Sequence, residues 1–152
     1  MAVSRGGIFM NYDERALKAF INSNSFPWYA NTFEDFSQNN GNYPIWKWSW
    51  WAFFGGVWFL FYRKLYLEGF SFWIFGIILT YFFGPVIMIP LMICVGGFAP
   101  WILYKRYLKI KREVEYTTSD NKERLFLMED LGGYNKYVIP ILIMILVFTL
   151  LV

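Results

Sequence analysis

The sequence predicts an all-α integral membrane protein, and three observations carry that reading. Aromatic residues are dense, with 17 Phe, 11 Tyr and 8 Trp among 152 residues. Hydrophobic residues make up 57% and charged ones only 16%, against roughly a quarter charged in an ordinary soluble domain. A chain this short must expose a large share of its residues, so a water-facing fold has no place for so much apolar surface. The apolar residues also come in blocks. Phe70–Tyr104 runs for 35 residues without a charge, well past the ~20 that cross a bilayer as helix. The expected parts are short amphipathic N-terminal helices, a short aromatic interfacial or half-inserted helix, a transmembrane helical hairpin and a C-terminal membrane helix.

Residues 1–44 read as an N-terminal cytoplasmic or interfacial helical segment. Met1–Phe9 has no periodicity and reads as a leader, and Met10 offers a second start. No secretory signal is expected, because acidic and basic residues interrupt the first forty positions. Asn11–Asn24 forms an amphipathic helix, capped by Asn11 or Asp13, with Tyr12, Leu17, Phe20 and Ile21 on one side. Asn22–Trp28 is expected as a loop broken by Pro27, Tyr29–Ser37 as another short helix, and Gln38–Pro44 as a turn.

Residues 45–104 form the membrane region. The uncharged stretch Trp48–Tyr62 has 15 residues, about 22 Å of helix against a core of about 30 Å. Trp and Tyr favour the headgroup zone, so residues 45–62 read as an interfacial or re-entrant helix. Gly55 and Gly56, with Ala52, form a small patch for close helix approach. The hairpin is expected over residues 65–83 and 85–104, with Gly84 and Pro85 as its hinge and Pro90 and Gly96-Gly97 as secondary kinks.

Residues 105–136 are basic, then mixed in charge. Lys105, Arg106, Lys109, Lys111 and Arg112 form a run suited to anionic lipid. Such a run beside a span marks the cytoplasmic side, and Arg63-Lys64 lies at the other end of the same hairpin, so the two signals agree. From Glu113 the chain continues as helix, then turns through a loop into a second short helix ended by Gly132-Gly133. Residues 137–152 are expected as the C-terminal membrane helix, with Pro140 in its first turn.

The inventory excludes much chemistry. There is no histidine and one cysteine, Cys94. The usual general base, the common nucleophile pairs and the usual haem and zinc ligands are therefore missing. The adjacent carboxylates Asp13-Glu14, Glu34-Asp35 and Glu129-Asp130 do not face each other on a helix and suit caps and surface charge. No cofactor, metal or catalytic residue is expected, and a net charge of +3 does not argue for nucleic acid. Trp58, Tyr62, Arg63, Lys64 and Tyr66 form an aromatic and basic cluster. It reads as an interface belt with snorkelling cations, or as a site for a lipid headgroup or partner.

Trp48–Gly69 (WSWWAFFGGVWFLFYRKLYLEG) resembles the signature of the domain-of-unknown-function family 2628. The matching residues are Trp50, Ala52, Phe53, Phe54, Gly56, Trp58, Tyr62, Arg63, Lys64, Tyr66 and Gly69. Asn11–Phe36, Gly97–Arg112 and Leu131–Asn135 resemble the family's flanking segments. At Gly55-Gly56-Val57 the sequence departs from the family's Phe-Gly-Pro run. The resemblance implies a small multi-pass protein of the bacterial inner membrane and supplies no activity. The expected function is non-enzymatic: an accessory, scaffold or interaction subunit of a membrane assembly, in contact with anionic lipid and with another membrane protein or a second copy. The alternative is a homo-oligomeric channel or transport component.

Overall fold

The computed structural model describes residues 12–38 and 43–151, and these are all-α. Helices α1 (Tyr12–Ile21), α2 (Phe26–Gln38), α3 (Trp50–Tyr62) and α4 (Tyr66–Phe83) precede a 3₁₀ turn at Pro85–Ile87. Helices α5 (Met88–Thr117), α6 (Asn121–Leu131) and α7 (Val138–Leu151) follow. The leader, Met10, the Asn11 cap and positions 39–42 of the expected turn lie outside the described residues.

Helix α5 is the spine. Its 30 residues make a rod of about 45 Å. The expected kinks at Pro90 and Gly96-Gly97 do not break it. Pro90 falls in the first turn, where its missing N–H costs nothing. The proline that disturbs the ladder is Pro100, which the sequence reading did not single out. It removes the N–H that the Gly96 carbonyl would normally accept from. The Ser49 N–H replaces it at 2.9 Å, and the Lys47 N–H reaches the Gly97 carbonyl at 3.4 Å.

This explains a correction. Residues 45–49 were expected to begin the aromatic helix, but they run outside any helix, against α5. Helix α3 starts only at Trp50, where the Ser49 hydroxyl accepts from the Ala52 N–H at 3.3 Å. The small residues that permit close approach are therefore Gly96 and Gly97. A Cβ on Gly97 would sit 2.5 Å from the Trp46 ring, and one on Gly96 3.0 Å from Phe53 Cβ.

Gly56 has a different role from the one expected. Its φ of 49° and ψ of −131° kink α3, and the nearest atom to an added Cβ is 4.0 Å away on Met92. It is a conformational glycine rather than a packing one. Ser49 meets α5 at Gly96, Gly56 faces Met92 one turn nearer the start of α5, and the Lys64 carbonyl accepts from Arg106 far towards its other end. Residues 49–64 thus dip along α5 and return. This wedge packs on both α4 and α5, while α4 and α5 touch each other only sparsely. The expected tight hairpin is opened by α3. Its turn lies at Gly84 (φ 76°) and Pro85, as the sequence indicated.

Pro27 does not break a loop. It lies in the first turn of α2, which begins three residues earlier than expected.

Burial divides the molecule in two. Phe20, Ile21, Phe33, Phe36, Leu103, Tyr107, Ile110, Val114 and Met128 bury one another around the charged half of α5. T-shaped ring pairs Phe20–Tyr107 and Phe33–Tyr104 lie within this core. At the other end, α4, α7 and the α3 wedge present large apolar side chains outward, including Trp51 at 78% and Tyr81 at 85% exposure. Helix α4 and the run Pro85–Thr117 are long and apolar enough to cross a membrane.

Glycine substitutions separate these roles. Gly97→Ala forces the Trp46 ring aside and should cost about 1–3 kcal/mol. Gly56→Ala meets no clash but adopts a strained backbone, also about 1–3 kcal/mol. Gly76→Ala finds ordinary contact with Leu91 at 3.6 Å and should be neutral or stabilise by about 0.4–1 kcal/mol. Thermal unfolding of the purified variants in one detergent ranks them, and a destabilised Gly76→Ala would contradict the assignment.

Candidate functional site

The aromatic and basic cluster splits at Arg63. The last carbonyls of a helix lack intrahelical donors and carry partial negative charge, and the cations at this junction serve such carbonyls. Helix α1 ends at Ile21, with Asn22 in the left-handed conformation (φ 43°). Its Phe20 carbonyl accepts from the Gly133 N–H at 2.6 Å, and its Ile21 carbonyl from Arg63 Nη1 at 3.0 Å. Lys64 Nζ donates to the Asp130 carbonyl at 2.8 Å. Arg106 Nη1 donates to the Lys64 carbonyl at 2.6 Å and Nη2 to the Leu131 carbonyl at 3.2 Å. The expected glycine stop of α6 is present: Gly132 caps the helix, and Gly133 (φ 65°) makes the contact to α1.

Arg63 does not snorkel. It is 5% exposed, with its Cζ 4.9 Å from the Tyr29 ring centroid and 5.9 Å from that of Tyr62. Tyr62 in turn stacks on Tyr134 at 5.1 Å. Burial pushes the Tyr29 phenol above the ordinary tyrosine value, although the adjacent Arg63 cation works against that shift. Arg63 Nε is buried without an acceptor.

A cavity of about 510 Å³ opens beside this guanidinium. Ser23, Ser25, Tyr29, Tyr62 and Arg63 supply its polar wall, and Trp51, Phe54, Trp58, Phe59, Ile139 and Leu142 its apolar wall. Of the sequence cluster, Trp58, Tyr62 and Arg63 meet here, while Lys64 and Tyr66 face a second groove with Glu68, Trp101, Lys105, Arg106 and Lys109. The serines and α7 residues were not legible as members, because only the fold brings the segment before α2 and the start of α7 to the same cavity as α3.

The basic run is also divided. Lys105 lies over the Trp101 ring at 5.4 Å. Lys105, Lys109 and Arg112 form an exposed stripe at helical spacing. Lys111 points elsewhere and pairs with Asp13 at 2.6 Å. The candidate lipid surface therefore lacks Lys111, and also Arg106, whose guanidinium is bonded to main-chain carbonyls. Ala52 is fully buried, Gly55 lines the Arg63 cavity, and Gly56 lies in an apolar cleft of about 470 Å³ between α3, α4 and α5.

The carboxylates serve structure. Asp35 pairs with Lys47 at 2.5 Å, and Glu129 accepts from Asn22. Among the described residues no group of three His, Cys, Asp or Glu side chains is placed to hold a metal.

Replacing Arg63 with Met should leave the buried Ile21 carbonyl without its donor and cost about 1–3 kcal/mol, read by thermal unfolding. Tyr29 sets a pH dependence. Because its folded pKa is raised, the stability it contributes is complete below pH ~10 and is lost as pH rises through the raised value. In an alkaline ultraviolet titration, Tyr29→Phe should remove one tyrosine from the late-titrating class. An unchanged late class would contradict the burial. No family model, curated protein or solved structure matches this chain.

Proposed function

We propose that the chain is a multi-pass inner-membrane protein without chemistry of its own, an accessory or scaffold subunit that packs against other membrane proteins. One observation carries this reading. Only 11% of the apolar window of α4 is buried within the fold, whereas a core helix of a soluble protein is mostly covered. Apolar surface on this scale needs a solvent other than water. The exposed Lys105–Lys109–Arg112 stripe begins where the apolar half of α5 ends, which suits a helix leaving a bilayer towards anionic headgroups.

In this reading α4 and the apolar half of α5 span, α3 is re-entrant and α7 is a further membrane helix. The polar bundle of α1, α2, α6 and the charged half of α5 faces the cytoplasm. Membership of family 2628 belongs to the same proposal. The cleft between α3, α4 and α5 is lined by apolar and aromatic residues with Thr80, and no charged residue lines it, which gives little support to an ion path through one chain.

The protein should stay in the pellet on alkaline carbonate extraction and be released by detergent. Recovery in the carbonate supernatant would refute the membrane reading. In a Cys94→Ser background, Tyr43→Cys and Lys122→Cys should label from the cytoplasmic side and Val86→Cys from the opposite side. Labelling of Tyr43→Cys from the Val86 side would make α3 a full span.

A further inference from the structure

We propose that the cavity beside Arg63 binds one anionic amphiphile, its phosphate or carboxylate on the guanidinium and its acyl chain along Trp51, Phe54 and Leu142. Every Asp and Glu of the chain lies within the described residues, and none pairs with Arg63. Arg63 is nevertheless 95% buried, since its exposure is 5%. Its compensation is neutral: the Ile21 carbonyl and the Tyr29 and Tyr62 rings. A buried cation compensated in this way is costly, and an anion that fits the planar fork relieves the cost. Arg106 differs, because it reaches two carbonyls and shares its groove with Glu68.

The cavity has the size and wall chemistry for such a ligand. Its volume of about 510 Å³ falls within the roughly 300–1,000 Å³ of small-molecule sites. Ser23 and Ser25 stand on the cavity wall just before α2, and no acidic residue in the first turn of that helix opposes an anion there. The remaining wall is apolar. Trp51 and Phe54, 78% and 71% exposed, lie on the apolar exterior, where a chain can enter sideways. This route of entry rests on the membrane reading; the charge and cavity arguments do not.

The test uses native mass spectrometry of the full chain in a mild non-ionic detergent. The probes are dioleoylphosphatidylglycerol, dioleoylphosphatidylcholine, oleate and inorganic phosphate. One phosphatidylglycerol or oleate per chain should be retained at least about tenfold better than phosphatidylcholine, equivalent to about 1.4 kcal/mol. Retention of phosphatidylglycerol alone identifies a phospholipid head, and retention of oleate identifies a fatty-acid carboxylate. Ser25→Glu places a carboxylate inside the cavity and should abolish retention while keeping or raising the melting temperature. Leu142→Trp fills the acyl path and should reduce retention about tenfold with Arg63 intact. Equal retention of phosphatidylcholine, or full retention by both variants, overturns the proposal. Thermal protection by inorganic phosphate equal to that by the lipids removes any role for the chain and also overturns it. Carbonate extraction reads the membrane assignment separately, so the two ideas fail independently.

Discussion

Arg63 joins the two halves of the molecule through one guanidinium. It follows directly on α3, donates to the last carbonyl of α1 and lies against Tyr29 of α2. A helix C-terminus carries partial negative charge, which makes the end of α1 a reasonable place for a buried cation. Lys64 and Arg106 repeat the arrangement at the end of α6. Bonds to main-chain carbonyls thus tie the wedge α3 to the polar bundle, and side-chain ion pairs play little part. The arrangement leaves Arg63 without a formal counter-charge, and this connects its structural role to the chemistry of the cavity beside it.

Pro100 sets the other joint. A proline within a long helix leaves a carbonyl four residues back without its donor. Here that carbonyl belongs to Gly96, which has no side chain to block an approaching strand of chain. Ser49 can therefore donate to it, the Trp46 ring can lie over Gly97 and the edge of Trp48 can touch Gly96, and the Ser49 hydroxyl can then cap α3. The proline and the glycine pair act together. Alanine at 97 would have to push the Trp46 ring aside, and with a residue other than proline at 100 the Gly96 carbonyl regains its own helix donor.

These two joints let a single helix serve two environments. The charged half of α5 is enclosed by α1, α2 and α6 in a dense aromatic core, whereas the apolar half is covered on one side only, chiefly by α3. Burial energy therefore concentrates at the polar end. The apolar end must find its complement in whatever surrounds it.

The sequence by itself determined the helical class, the two long apolar runs that become α4 and the first part of α5, and the Gly84-Pro85 turn. Those features depend on local rules: runs of apolar residues, charge boundaries, and the backbone demands of Gly and Pro. It also singled out Trp58, Tyr62 and Arg63, because aromatic and basic residues at helical spacing form a visible cluster. It misread residues 45–49 as helix, since Trp-rich sequence has no local signal for an extended strap whose donors serve carbonyls about fifty residues away. It treated Gly56 as a packing site and missed Gly96-Gly97 in that role, because a glycine's purpose depends on which chain passes over it. Only the tertiary structure decided that Arg63 is buried rather than snorkelling, and that Ser23, Ser25 and Leu142 share its cavity. Burial and cavity walls arise from segments distant in sequence, and no local pattern encodes that meeting.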